Sequence, residues 1–319
     1  MFRSSHVAEP TMPTTLFFSQ RNNAPGNHAA RDPMRGTMLL FGLLLSSTIG
    51  LIAYRRRSLS RSGIAGAIVT GTTTFGMGGW PWGLSLVFFF VSSSILSHFR
   101  ARDKANIADD KFSKGSRRDF AQVAANGGVA TLLALSYRLT PSHFLRRVCL
   151  MGYAGALATA TADTWATELG VLSPHRPRLV TTGKVVAPGT SGGITPLGTA
   201  ATAAGALAQG TVFWLLQRCR RSLAALPLIA LVSGLAGSMV DSFLGATVQA
   251  MYYCPHCQKE TERRVHSCGT KTQPLRGVAW LNNDVVNFIA TLCGGLMAMT
   301  AQAGMKSRIL CGTLFSAWR

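Results

Sequence analysis

The stretch ATATADTWATELG, residues 158–170, decides how this chain is read. It lies in a long run of small and apolar residues, yet it carries Asp163 and Glu168 where a buried helix would hold Leu or Val. Acids are scarce in the chain: 12 Asp and Glu stand against 32 Lys and Arg, a formal charge of +20. Two carboxylates in one apolar segment need a physical reason, and that reason depends on the medium around the segment.

Composition identifies the medium. The 319 residues are 47% hydrophobic and 14% charged, where soluble domains average about 25% charged. The basic residues do not spread through soluble domains, as they would in a nucleic-acid binder; they cluster in short gaps between apolar runs. Eight such runs, near 37–54, 63–79, 80–97, 120–139, 148–170, 193–217, 226–250 and 281–303, have roughly the 17–25 residues needed to cross a bilayer. The expected fold is an all-α, polytopic transmembrane helix bundle of seven or eight spans, with a small cysteine/histidine loop. The second and fourth runs are rich in Gly, Ala and Thr, which suits close helix contact in lipid; a re-entrant or interfacial segment is the alternative for both.

The membrane domain covers 37–304, with a short tail at 305–319 and a polar, basic tail at 1–36. The first tail has no apolar h-region and is not a secretory signal; a transit peptide and a plain disordered tail both fit it. The expected location is therefore an integral, multi-pass position in a plastid or other organelle membrane, or in another cellular membrane. Of the 32 basic residues, 19 fall in the first, third, fifth and seventh loops, which places those loops on the cytoplasmic (or stromal or matrix) side.

That orientation gathers the acids. Asp163 and Glu168 fall in the inner third of the fifth span, Asp241 past the middle of the seventh, and Asp284 in the first turn of the eighth. A carboxylate at mid-bilayer costs about 2.5–3.5 kcal/mol on the insertion scale, so four uncompensated ones would cost roughly 10 kcal/mol. No Lys or Arg lies within these spans to pair with them. A Mg²⁺ ion on Asp163, Asp241 and Asp284, shared with phosphate oxygens, is the economical compensation; a wet cavity with bonds to Thr, Ser and Asn neighbours is the alternative. At about 100° per residue, Asp163 and Glu168 point about 140° apart, so Glu168 is expected to bond a loop or a base. Asn126, Ser242, Asn283 and Asn287 are candidates for a polar network beside the acids. The segments LATATADTW (157–165) and LAGSMVDSF (235–243) share a pattern that could reflect an internal repeat.

Two loops add chemistry. Gly189, Thr190, Ser191, Gly192 and Gly193 precede a span, and glycines let successive N–H groups converge on an anion. Lys184, with Arg176 and Arg178 upstream, would add cationic donors, although GK at 183–184 is not followed by Ser or Thr and is no Walker A loop. The seventh loop, 250–279, holds Cys254, Cys257, His266 and Cys268, a ligand set for structural zinc. Cys149, Cys219, Cys293 and Cys311 stand alone.

Four ordered motifs, ATADTWATELG, VAPGTSGGITPLG, GSMVDSFLGATVQ and WLNNDVVNF, resemble the integral membrane family that includes transmembrane protein 19 and plant phytyl-phosphate kinase. The resemblance covers roughly residues 38–303. The cysteine loop is similar to a form found in some members, mainly bacterial-type ones. Where the family commonly reads LDND this chain has LNND, so no metal role is carried onto Asn283. For part of the family the resemblance implies phosphorylation of a prenyl monophosphate to its diphosphate. An isoprenoid phosphate, a nucleoside triphosphate and membrane lipid are then the expected partners, and Mg²⁺ the cofactor. A multi-pass transporter and a non-catalytic membrane protein are the competing readings, and oligomeric state is left open.

Overall fold

A 28-residue helix, His143–Gly170, is buried at every position from Val148 to Ala162. The other helices are arranged around it. The computed structural model describes residues 33–108 and 117–316; most of the N-terminal tail, Lys111, Lys114 and residues 317–319 lie outside them. In chain order the helices are α1 (Pro33–Arg55), α2 (Arg61–Gly78), α3 (Trp80–His98), α4 (Ala101–Ala108), α5 (Phe120–Leu139), α6 (the buried helix), α7 (Pro196–Leu216), α8 (Leu226–Thr247) and α9 (Asn283–Ser316). Two short antiparallel sheets sit in the loops. One pairs β1 (Arg178–Leu179) with β2 (Gly193–Ile194). In the other, β3 (Met251–Cys254) lies between β4 (Lys259–Thr261) and β5 (Gln273–Arg276).

All helices except α4 have at least 18 residues, enough for a span. Five segments are also apolar enough to cross a membrane: Gly36–Arg55, Trp80–His98, Pro196–Leu216, Arg221–Thr247 and Asn283–Met305. In α2, α5 and α6, Gly, Ala and Thr replace Leu and Val, which lowers their hydropathy but permits close packing. Large apolar side chains, among them Leu40, Leu44, Leu228, Val232, Phe243 and Leu296, are exposed on the outer helices. Such a surface would be a liability in water and is a lipid-facing surface here.

Local sequence sets the helix ends. Ser60, Ser142 and Thr195 accept N-terminal N–H groups of α2, α6 and α7, and Asp119 with Gln122 forms a capping box on α5. Asn282 caps α9, its Oδ1 accepting from Val285 N at 3.1 Å. α9 continues to Ser316, through most of the segment read as a C-terminal tail, because 305–311 (MKSRILC) contains no helix breaker.

Small residues let α6, α8 and α9 touch. A Cβ on Gly155 would come within 2.5 Å of Gly294 O, and one on Gly294 within 1.9 Å of Thr159 Oγ1. Thr159 is fully buried and donates to Gly155 O and Ser233 O. Gly294→Ala should therefore lower stability by about 1–3 kcal/mol, read as a fall in Tm of the purified protein. Gly304→Ala, where an added Cβ meets nothing within 4 Å, should not. Polar bonds join the helices further along: Gln209 Nε2 on α7 donates to Ser85 Oγ on α3 at 2.7 Å, and Thr161 on α6 donates to Gln209 Oε1 at 3.0 Å. Trp82, Tyr153 and Phe213 stack near the opposite end of the bundle.

The long helices alternate in direction, so the loops after α1, α3, α6 and α8 meet at one end. Ser60 N donates to Arg118 O at 2.9 Å, Ser97 on α3 bonds Glu168 on α6, Ser191 meets Gln249, and Ala250 N donates to Leu281 O.

Candidate functional site

At this loop end α6 and α8 run parallel. Gly234 packs on Ala158, Gly237 on Thr159, and Ser238 Oγ donates to Asp163 Oδ1 at 3.3 Å. One turn further along α8, Asp241 feels the negative charges of both Asp163 and Glu262. Its Oδ2 is buried and has no hydrogen-bond partner. Among the described residues neither carboxylate has an ion pair. The two look-alike segments, 157–165 and 235–243, thus lie side by side with their aspartates together.

A line of polar groups centred on the buried Gln249 connects this pair to the glycine loop. Gln249, 1% exposed, donates from Nε2 to Glu262 Oε1 at 2.9 Å and accepts at Oε1 from Ser191 Oγ at 3.0 Å. Gly192, at φ 81°, lies against Ala246, where a Cβ would approach within 2.5 Å; only glycine permits this contact. Sequence reading missed Ser238, Gln249 and Glu262. Ser238 was hidden in the small-residue pattern of α8, and Glu262 lies in the seventh loop, outside the apolar runs.

The remaining candidates divide. Glu168 turns away from the aspartates: Lys104 Nζ on α4 lies 2.6 Å from its Oε2, and Ser97 bonds its Oε1. The compensating cation comes from a loop helix 64 residues away in sequence. Breaking this largely buried pair with Lys104→Met should cost about 3 kcal/mol, and Lys104→Met with Glu168→Gln together should cost less than the sum of the two, as a double-mutant cycle would measure. Asp284 and Asn283 open α9 at the same end of the bundle, with Asn287 one turn on. Ser242 follows Asp241 on α8. Asn126 lies within α5, where its Nδ2 donates to Gln122 O at 3.0 Å and its side chain lines a pocket against α2 and α3.

The glycine loop differs from a simple anion cradle. Thr190 N and Gly193 N both donate within the loop, to Ala187 O and Thr190 O. Two residues separate it from α7, whose N-terminus Thr195 already caps through Gly198 N at 3.0 Å. Lys184 is exposed on the β1 hairpin, its carbonyl accepting from Leu179 N at 2.9 Å.

Residues 44–295 match the family described as integral membrane protein DUF92. The chain belongs to the DUF92 family. It is a multi-pass integral membrane protein. It is 34% identical to Protein PGR of Arabidopsis thaliana over 82% of this chain and 96% of that protein. An uncharacterized membrane protein of Methanocaldococcus jannaschii is 29% identical over 84% of this chain and 96% of its own length. Protein VTE6, chloroplastic, of Arabidopsis thaliana is 26% identical over 76% of this chain and 65% of that protein. No solved structure matches.

This DUF92 chain also gathers its cysteine loop. Ligand atoms of Cys254, Cys257, His266 and Cys268 all lie within 4.8 Å of one another. Cys254 sits at the end of β3, Cys257 N donates to Cys254 Sγ at 3.5 Å, and the turn before β5 brings His266 and Cys268 back. Hydrogen bonds from Thr270, then His266, pull the Cys268 thiol down to about 5, while the bond to Cys268 and burial push Cys257 up to about 11. His266 Nε2 is buried with no hydrogen-bond partner. Three sulfurs and an imidazole nitrogen at this spacing fit a tetrahedral zinc ion.

Proposed function

We propose that this protein is a membrane phosphotransferase that converts a prenyl monophosphate of phytyl type to the diphosphate. The terminal phosphoryl group of a nucleoside triphosphate passes to a phosphate oxygen of the lipid, and the nucleoside diphosphate leaves. The observation that carries the proposal is the Asp163–Asp241 pair, in which the orphaned Asp241 Oδ2 and the lack of a basic partner among the described residues fit a divalent cation. Mg²⁺, when bound, neutralises the charge on the nucleotide phosphates. Asp163 and Asp241 would hold it, and Asp284 opens the neighbouring helix at the same end. Ser238 fixes the Asp163 carboxylate, and Gln249 fixes Glu262 and Ser191. The Gly189–Gly193 loop, tied to the acids through Ser191, and the exposed Lys184 supply the phosphate side. Phosphoryl transfer asks mainly for positioning and charge neutralisation, and these groups offer both. The resemblance of the four motifs to phytyl-phosphate kinase supports the lipid. The cysteine cluster is read as structural zinc that braces the loop carrying Glu262.

The test incubates purified full-length protein with phytyl phosphate and labelled CTP or ATP, with and without Mg²⁺. Labelled diphosphate that forms only with Mg²⁺ is the expected result. No transfer from either donor, together with Asp163-dependent solute flux into proteoliposomes, would replace the kinase by a transporter.

A further inference from the structure

A second unmatched charge lies away from the aspartate pair. Arg118 stands just before α5, and its backbone is pinned by two bonds: its N–H donates to Ser58 O at 3.0 Å, and Ser60 N–H donates to its carbonyl at 2.9 Å. The side chain extends inward over the faces of Phe89 and Phe90, with the guanidinium carbon 5.8 Å from each ring centre. Its Nη1 is buried and has no hydrogen-bond partner among the described residues. The field of Glu168 reaches it, but that carboxylate is already taken by Lys104 and Ser97. Burial pulls the guanidinium down only to about 10, so it is cationic at neutral pH.

Arg118 lines a partly open pocket between α1, α2, α3 and α5. Except for Gln122 and Asn126 near the Arg118 end and a few hydroxyl groups, its walls are apolar, including Ile49, Phe75, Leu86 and Val87. Along α2 the wall runs from Ala67 to Phe75, roughly 12 Å at the helical rise. A single cation at the loop end of a narrow apolar slot has the polarity of a one-chain amphiphile. A buried, unpaired guanidinium costs several kcal/mol, and a planar fork of donors matches a phosphate.

We propose that Arg118 and the pocket it closes form a binding site for a single-chain lipid with an anionic phosphate head. The head bonds Arg118 Nη1, near Glu168 on the helix that also carries Asp163, and the chain lies along α2 and α3. The isoprenoid nature of the chain rests on the kinase reading; the charge of the head and the apolar character of the tail do not.

The test measures the Tm of purified full-length protein in neutral detergent against three probes: phytyl phosphate, phytol and inorganic phosphate. Phytyl phosphate should raise Tm in a saturable way, and the other two should do so much less. Arg118→Met should weaken the apparent affinity at least about tenfold, equivalent to about 1.4 kcal/mol, with Arg118→Lys in between. Because Arg118→Met removes an unpaired buried charge, it should fold at least as stably as the parent. Gly127→Leu gives an independent arm. Gly127 lines the pocket, and an added Cβ there meets only ordinary contacts at 3.9 and 4.0 Å, so a leucine should fill the slot and also weaken binding. Unchanged phytyl phosphate affinity in both variants overturns the site. Equal stabilisation by inorganic phosphate makes it a free-anion site, and equal stabilisation by phytol removes the role of Arg118; either result also overturns it. Lipid binding lost in both variants, with no phosphoryl transfer by any form of the protein, overturns the kinase reading and leaves the lipid site standing. Transfer by Arg118→Met at an unchanged KM for phytyl phosphate does the reverse.

Discussion

Asp241→Asn should fold, insert and lose activity by about 10²–10³-fold or more. The residue sits beside Asp163 and Glu262 with one oxygen buried and unpartnered. Two negative charges bear on it and no cation among the described residues pairs with it, so the carboxylate does nothing for the fold by itself. Replacing it with a neutral amide relieves repulsion, and stability without added metal should hold or rise. If the acids exist to bind a divalent ion, the variant should also lose the Tm increase that Mg²⁺ gives the parent. The two readouts separate the explanations. A purely structural role predicts a lower Tm and no change in metal response. A catalytic role predicts lost turnover, a lost Mg²⁺ shift and an undiminished Tm in chelator. Normal turnover in Asp241→Asn would remove the phosphotransferase assignment from this pair.

Cys254→Ser should remove bound zinc and unfold the loop from β3 to β5. Cys254 is fully buried, and its sulfur lies 3.7 Å from Cys268 Sγ and accepts the Cys257 N–H. In small zinc modules the metal contributes about 10–16 kcal/mol of apparent binding energy at neutral pH, far more than a loop of this size gains from its short sheet. The expected measurement is close to one zinc per chain in the parent and none in the variant, with protease cleavage newly confined to 251–276. Because Glu262 lies in this loop and is held by Gln249, phosphoryl transfer should fall as well, while the helical bundle keeps its circular dichroism. A parent free of zinc when purified without chelator, with an intact loop, would show that hydrogen bonds alone hold the four ligands.

The helices were legible because lipid imposes a length and polarity rule that each segment obeys separately. The expected run 120–139 coincides with α5, and 80–97 with all but the last residue of α3. Even α2 and α5, too rich in Gly and Thr to pass on hydropathy, were visible as stretches of span length. The pairing of acids was only half legible. Asp163 and Asp241 stood out as charges in apolar runs. The partner of Glu168 did not, because Lys104 belongs to a loop helix and only folding brings its ammonium across to α6.

By itself the sequence determined the medium, the approximate positions of the eight long helices, and the charges whose burial requires an explanation. These follow from composition and from the energy of placing each residue in lipid, which depends little on distant neighbours. Only the tertiary structure decided which charges are answered and which are not. Glu168 finds Lys104, whereas Asp241 Oδ2 and Arg118 Nη1 find no partner among the described residues. Electrostatic energy in a low-dielectric interior is set by separations of a few ångströms, and the packing of α6 against α3, α8 and α9 fixes those separations.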